Sequence, residues 1–165
     1  MPAARRPRGL DAIDVKILAA LQRDGRMTYD ALAARVGLTP RPCLERVRRL
    51  TAAGIITGFS AGIDIDRLSR PVTVISEIAL DSGARRDQIE RRLRAIDEIV
   101  ECWEVSGAFD YVARIVTSDL ARYEELTSEL LDGGLGVGRI VSHIVLRPVR
   151  RFAGYPAALL APRSR

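Results

Sequence analysis

Residues 39–50 read Thr-Pro-Arg-Pro-Cys-Leu-Glu-Arg-Val-Arg-Arg-Leu, and their charged members recur at the spacing of a helical turn. At about 100° per residue, Arg41, Glu45 and Arg48 share one side of a helix, while Cys43, Val47 and Leu50 line the other. An apolar stripe seats such a helix, and the arginines opposite it face outward together. A helix presented this way fits the major groove of double-stranded DNA, where side chains near its N-terminus reach base edges. Thr39, or the exposed backbone N–H groups of the first turn, can hold a phosphate. Thr28, Pro40, Pro42, Leu44 and Arg49 complete the candidate DNA-contacting set. The competing interpretation is a plain three-helix bundle with a solvated basic face.

The charge distribution favours the DNA interpretation. Residues 1–64 carry 11 Lys and Arg against 6 Asp and Glu, whereas the remaining 101 residues carry 15 of each. The whole excess, net +5, therefore lies in the first third, which points to a local polyanion contact. Arg5, Arg6 and Arg8 sit among prolines in an N-terminal arm that is either inert or follows the DNA backbone or minor groove.

The elements that must position these residues follow from periodicity. Leu10 to Gly25 predicts a helix, with Asp11 as N-cap and Ile13, Ile17 and Leu21 on one face. Thr28 caps a shorter helix carrying Leu32, Ala33 and Val36, and Gly37 ends it. The third helix opens at Thr39-Pro40 and runs to about Ala53; residues 55–65 predict a short β-hairpin, or wing.

From Pro71 the order becomes strand, helix, strand, strand, helix, strand. The strands are predicted at 72–80, 99–106, 109–116 and 139–149. Helices are predicted at 84–96 and from a Ser118 cap through Leu120, Tyr123, Leu126 and Leu130. Gly107-Ala108 suits a tight hairpin between the middle strands. The fold class is therefore α+β: an N-terminal winged helix-turn-helix and a C-terminal ferredoxin-like βαββαβ sandwich. Strand alternation puts Thr73, Ile75, Val141 and Val145 on the sheet face without helices, too apolar to stay wet, so a second subunit is expected there. The expected division is 1–60 for the DNA-binding domain with its arm, 61–70 for a hinge, 71–150 for the second domain and 151–165 for a tail or added edge strand.

These motifs together resemble the Lrp/AsnC family, the feast/famine regulators. The resemblance rests on Pro42-Cys43-Leu44-Glu45-Arg46-Val47-Arg48-Arg49-Leu50 followed by Gly54-Ile55-Ile56-Thr57-Gly58-Phe59, similar to that family's recognition helix and wing. Val105-Ser106-Gly107-Ala108-Phe109-Asp110-Tyr111 is similar to the loop between the second and third strands of its effector domain, and Leu135-Gly136-Val137 to a later turn. The resemblance implies a homodimer, often assembled to an octamer, that binds and bends DNA and responds to an amino acid. It places the effector near the loop matching Gly107, Ala108 and Asp110, beside Trp103, Glu104, Ser142 and His143. Glycine lets backbone approach a ligand, free N–H groups can hold a carboxylate, and Asp110 can hold an ammonium. The same residues also suit a hairpin turn at Gly107 capped by Asp110. The chain departs from the commoner pattern at Glu104, Ile140 and His143. If Glu104, Asp110 and His143 share one pocket, a cationic or hydrogen-bonding effector fits better than leucine, because an apolar side chain would leave buried polar groups unpaired.

Other chemistries lack support. His143 is the sole histidine, so no multi-histidine metal site is expected, and no cofactor is implied. Gly134, Gly136 and Gly138 follow a helix and precede a strand, so no helix N-terminus would face a bound phosphate. Cys43 and Cys102 read as reduced core residues. No apolar run approaches the roughly 20 residues that cross a bilayer, and a cytoplasmic, nucleoid-associated protein is expected. Two rival functions are a nucleoid-architectural protein with little sequence preference and an enzyme on the ferredoxin-like half. The enzyme would need an acid–base pair, for which Glu104 with His143 is the one proposal.

Overall fold

The computed structural model describes residues 9–160, so the arm with Arg5, Arg6 and Arg8 lies outside the described residues. The described residues form two compact units: residues 9–62 together with 150–160, and residues 63–149.

In the first unit, α1 (Ala12–Arg23) begins with a reciprocal cap. Asp11 Oδ1 accepts the N–H groups of Ile13 at 2.9 Å and Asp14 at 2.8 Å, and Asp14 Oδ2 accepts that of Asp11 at 3.1 Å. Helix α2 (Tyr29–Val36) is capped by Thr28 Oγ1, which accepts the Ala31 N–H at 3.3 Å. Gly37, at φ 76°, takes the left-handed conformation that turns the chain into α3 (Pro40–Ala52). Both prolines of α3 fall in its first turn, where a missing N–H breaks no helical bond. Ile17, Leu32, Ala33, Cys43, Val47 and Leu50 close the core between the three helices. Truncating one of the large members to alanine costs about 2–5 kcal/mol.

Two expectations for this unit change. Residues 55–65 form no β-hairpin: the Ile55 and Ile56 N–H groups both donate to Leu50 O, Ile56 is buried, and residues 57–64 have no strand partner. The helical core draws both isoleucines to one side, where a strand would alternate them, and Gly58 and Gly62 weaken any ladder. The described part of the C-terminal segment, residues 150–160, is not an edge strand. It returns to the first unit, where the Tyr155 N–H donates to Gln22 Oε1 at 2.6 Å and α6 (Ala157–Leu160) packs Leu160 against the helical core.

The second unit opens with a 3₁₀ turn at Ile65–Arg67 and continues as β1 (Val72–Leu80), α4 (Arg86–Arg94), β2 (Ile99–Glu104), β3 (Tyr111–Thr117), α5 (Leu120–Asp132) and β4 (Val137–Ile144). The sheet order is β2-β3-β1-β4 with antiparallel neighbours, the ferredoxin-like arrangement. Val74, Ile78, Ala113 and Ile115 on one sheet face pack with Ile89, Leu93, Tyr123, Leu126 and Leu130 from the two helices. Thr73, Ile75 and Glu77 point the other way, paired in register with Val116, Arg114 and Val112 of β3.

Element ends move where side chains or loops claim backbone groups. Helix α4 starts at Arg86 because the N–H groups of Asp81 and Arg85 donate to Gly136 O and Leu135 O, holding residues 81–85 as a loop. That approach explains the glycines: a Cβ on Gly136 would lie 2.7 Å from Ala84 Cα, and one on Gly138 2.2 Å from Asp81 Oδ1. Asp119, not Ser118, caps α5, accepting the Arg122 N–H at 2.8 Å, and this bond first holds its carboxyl below the ordinary value. The turn between β2 and β3 is longer than the two residues expected, closed by the Val105 N–H on Asp110 O at 2.9 Å. Strand β4 stops at Ile144, five residues short of expectation, with Leu146 and Val149 beyond it exposed. Cys43 is buried, which raises its thiol pKa, whereas Cys102 lies exposed on edge strand β2 and is not a core residue. No helix among the described residues is long and apolar enough to cross a membrane.

Candidate nucleic-acid interface and ligand site

Helix α3 carries the interface. Thr39, Pro40, Arg41, Pro42, Glu45 and Arg48 are all exposed, and Leu44 is half-buried at their edge. Arg41 Nε lies 3.6 Å from Glu45 Oε1 across one helical turn, a solvated pair of small energetic weight. Arg48 makes no ion pair among the described residues, and the Thr39 hydroxyl makes no capping bond, so both are available to a partner. Thr28 is exposed, but its hydroxyl is already used by the α2 cap.

Arg49 is different. Its Nη2 donates to Asp14 Oδ2 at 2.6 Å, and the neighbouring Arg46 Nη1 reaches both Asp14 Oδ1 at 2.9 Å and Asp11 Oδ2 at 2.6 Å. Asp14 is fully buried, and these guanidinium groups neutralise it there. The Asp14 N–H, and next the Arg46 side chain, hold the Asp11 carboxyl below its ordinary value. Sequence reasoning missed this network. Its available signal was the three-residue spacing of Asp11 and Asp14 and the same spacing of Arg46 and Arg49.

In the second unit, Asp110 sits at the closing end of the loop after β2. Its Oδ2 accepts the Leu80 N–H at 2.8 Å, and its Oδ1 pairs with the Arg86 guanidinium. These two contacts, the backbone bond first, hold the carboxyl below its ordinary value. The acid expected to receive an ammonium is thus already matched by Arg86, which also approaches Glu104 at 3.7 Å. Gly107 takes φ 124° with open space where a Cβ would stand, so it and Ala108 leave an exposed, side-chain-poor stretch of backbone. Beyond them, the Arg139 guanidinium lies 5.0 Å above the Phe109 ring.

Within one chain, Glu104, Asp110 and His143 do not share a pocket. Glu104 pairs in register with buried Tyr111 and reaches Arg86 on the helix side, while His143 pairs with Ile75 on the opposite face. His143 Nε2 lies 3.4 Å from Glu77 Oε2. Strand alternation likewise separates Ser142, bonded to Tyr123 on the helix side, from Trp103, which lies opposite Val112 on the open face. Glu104 and His143, the one acid–base pair considered for catalysis, are on opposite faces of the sheet.

Comparison with known proteins extends over both units. A family profile described as Lrp/AsnC ligand binding domain matches residues 73–154, and one described as winged helix-turn-helix DNA-binding matches residues 10–57. The leucine-responsive regulatory protein of Haemophilus influenzae is 39% identical over 149 residues, covering 89% of this chain and 90% of that one. The protein of the same name from Escherichia coli is 39% identical over 150 residues, covering 89% and 92%. Among solved structures, a transcriptional regulator from Neisseria meningitidis in complex with L-Met superposes with a TM-score of 0.86 at 27% identity, covering 93% of this chain and all of that one (100%). An AsnC family transcriptional regulator from Agrobacterium tumefaciens gives a TM-score of 0.83 at 25% identity, covering 92% and 100%.

Proposed function

The chain belongs to the Lrp/AsnC family of DNA-binding transcription regulators, and on that premise we propose that it reads its operator through Arg41, Glu45 and Arg48 under the control of an amino acid. The family consists of regulators rather than enzymes. The observation that carries the DNA assignment is the outward face of α3: exposed Arg41, Glu45 and Arg48 stand opposite the buried stripe of Cys43, Val47 and Leu50. Arg48, with no ion pair among the described residues, is the base-reading residue, and Thr39 with the first-turn N–H groups meets a phosphate.

Effector binding belongs to the loop of residues 105–110, supported by its exposed backbone at Gly107 and Ala108 and by the L-Met complex of the Neisseria relative. The effector carboxylate meets loop N–H groups. Asp110 shapes the loop rather than holding the ammonium, since Leu80 and Arg86 already occupy its oxygens. The protomers associate through the open sheet face, and the protein works in the cytoplasm on the nucleoid.

Genomic selection for bound fragments, followed by footprinting with each of the twenty amino acids, tests this. Discrete protection that one amino acid strengthens or weakens is the expected result, and uniform coating would overturn it. On the selected operator, Arg48→Ala is expected to cost about 1–3 kcal/mol and to relax sequence preference. Equal losses on operator and scrambled DNA would reassign Arg48 to the phosphate backbone.

A further inference from the structure

We propose that Asp14, a buried carboxylate on α1, is a positioning residue for DNA binding: it aims Arg49 at a phosphate on the flank of the groove that α3 enters. This rests on the assignment of α3 as the DNA-contacting helix.

Asp14 is 0% exposed and uses both oxygens, Oδ1 toward Arg46 and Oδ2 toward the Asp11 N–H and Arg49. Both arginines come from α3, so one carboxylate ties the recognition helix to α1. They are not equivalent. The Arg46 side chain is 25% exposed and bridges two acids within the network, whereas that of Arg49 remains 57% exposed. Only Nη2 of Arg49 is engaged, which leaves most of its N–H donors turned to solvent. A guanidinium held on one side by a buried carboxylate and open on the other is set up for a two-pronged contact with an anion.

The helical position selects that anion. Arg49 lies about 40° around the helix from Glu45 and about 100° from Arg48, on the flank of the outward face rather than at its centre. Phosphates line the edges of the groove, so a flank residue meets backbone and a central one meets bases. Positioning Arg49 also gives a role to a carboxylate that cancels positive charge close to a polyanion surface. Without it, Arg49 would have to surrender its side-chain freedom upon each encounter with DNA.

This gives an outcome opposite in sign to simple electrostatics. Removing a negative charge near the interface strengthens DNA binding if Asp14 acts only through its charge, and weakens it if Asp14 positions Arg49. The test uses the full-length chain and a duplex of mixed sequence, because phosphate contacts do not depend on sequence. Arg49→Ala is expected to weaken binding roughly three- to tenfold and to lower the salt slope by about 1. Asp14→Asn is expected to weaken binding in the same direction, and the double variant to bind no more weakly than Arg49→Ala alone. Unchanged or tighter binding by folded Asp14→Asn, or a full additive loss in the double variant, would overturn the proposal. If Asp14→Asn does not fold, ¹⁵N relaxation of the arginine side chains in the parent decides. Arg49 should then be as ordered as Arg46 without DNA, and mobility equal to that of Arg48 would overturn the idea. An Arg41→Ala/Arg48→Ala variant separates the two levels. If it binds mixed-sequence and operator DNA like the parent, the assignment of α3 itself fails; if it is impaired while Arg49→Ala is not, only the role of Asp14 and Arg49 fails.

Discussion

Ser142 and His143 are neighbours in the chain yet serve opposite faces of the sheet. Ser142 Oγ lies 2.5 Å from the Tyr123 hydroxyl, which in turn lies 2.8 Å from Ser76 Oγ, so the three hydroxyls form a chain from α5 to β1 and β4. His143 meets Glu77 on the far side. Ser142 is therefore tied to the packing of α5, whereas His143 belongs to the surface where another subunit is proposed. Tyr123→Phe removes the central hydroxyl and leaves Ser76, which is fully buried, without that partner. A loss of about 1–3 kcal/mol in denaturant unfolding is expected. Effector binding that falls while stability holds would instead place this chain of hydroxyls in the ligand site.

The open sheet face sets a second expectation. Ile75, Val112, Val116 and Val141 are half-buried in a single chain, and Trp103 beside them is 49% exposed. An ion pair between Glu101 and Arg114 at 2.7 Å and a polar contact between Glu77 Oε2 and His143 Nε2 at 3.4 Å interrupt the apolar surface. Such a mixture suits a specific interface with internally matched charges more than a monomer surface. Sedimentation of the parent should show a dimer or a larger assembly, and Ile75→Glu should shift it toward the 18.1 kDa protomer. A parent that sediments as a monomer at micromolar concentration would remove the basis for two-half-site DNA binding.

What could be read from the sequence was local. The stripe of Cys43, Val47 and Leu50, the Thr28 cap and the left-handed Gly37 each depend on residues within a turn or two, and all three stand in the structure. The βαββαβ order was legible for the same reason, since each element carries its own period. Groups that meet across long separations were not. Asp14 finds Arg46 and Arg49 from 32 and 35 residues away, and Asp110 finds Arg86 across 24, so no local pattern announces either contact. Residues 55–65 show the reverse failure. Their β-branched residues suggested a hairpin, but Ile56 is buried against the helical core instead. The candidate effector set mixed the two cases: the turn at Gly107 was legible but not the length of its loop, and strand alternation divides Ser142 and Glu104 from His143 and Trp103.

Asp110 links loop shape to pH. Its carboxyl is held below the ordinary 3.8 by the Leu80 N–H and then by Arg86. A lowered folded-state pKa means the contribution to stability is fully present above the ordinary value and is lost as pH falls through the lowered one. Asp110→Asn should therefore be less stable than the parent near neutral pH, with the difference shrinking below about pH 4. Thermal unfolding of both proteins across acid pH measures this, and a constant difference would mean that neither the Leu80 N–H nor Arg86 stabilises the fold through the charge of Asp110. The same variant should lose its response to the effector while retaining operator binding without ligand. Parent-like titration with every amino acid would remove the loop of residues 105–110 from the effector site.

Beyond β4 the chain returns to the DNA-binding unit through residues 150–160. Gln22 on α1 both accepts the Tyr155 N–H at 2.6 Å and donates through Nε2 to Tyr155 O at 3.4 Å. Leu160 packs on the core cluster that contains Ile17, Leu18 and Ile56, and with Tyr155 it borders a hollow lined by Leu18, Leu21, Ile55 and Phe59. A stop codon after Val149 would uncover those apolar side chains and leave the Gln22 amide to water. The expected cost is about 1–3 kcal/mol, from lost apolar burial and the paired hydrogen bonds together. Because the contacts fall on α1 and the segment following α3, amide hydrogen exchange should quicken in α1 while β3 and α5 keep their protection. Leu160→Ala should show the same pattern at smaller amplitude. Unchanged exchange in α1 after truncation would mean that the segment rests on the helices without stabilising them, and that the DNA-binding unit draws its stability from its own three helices alone.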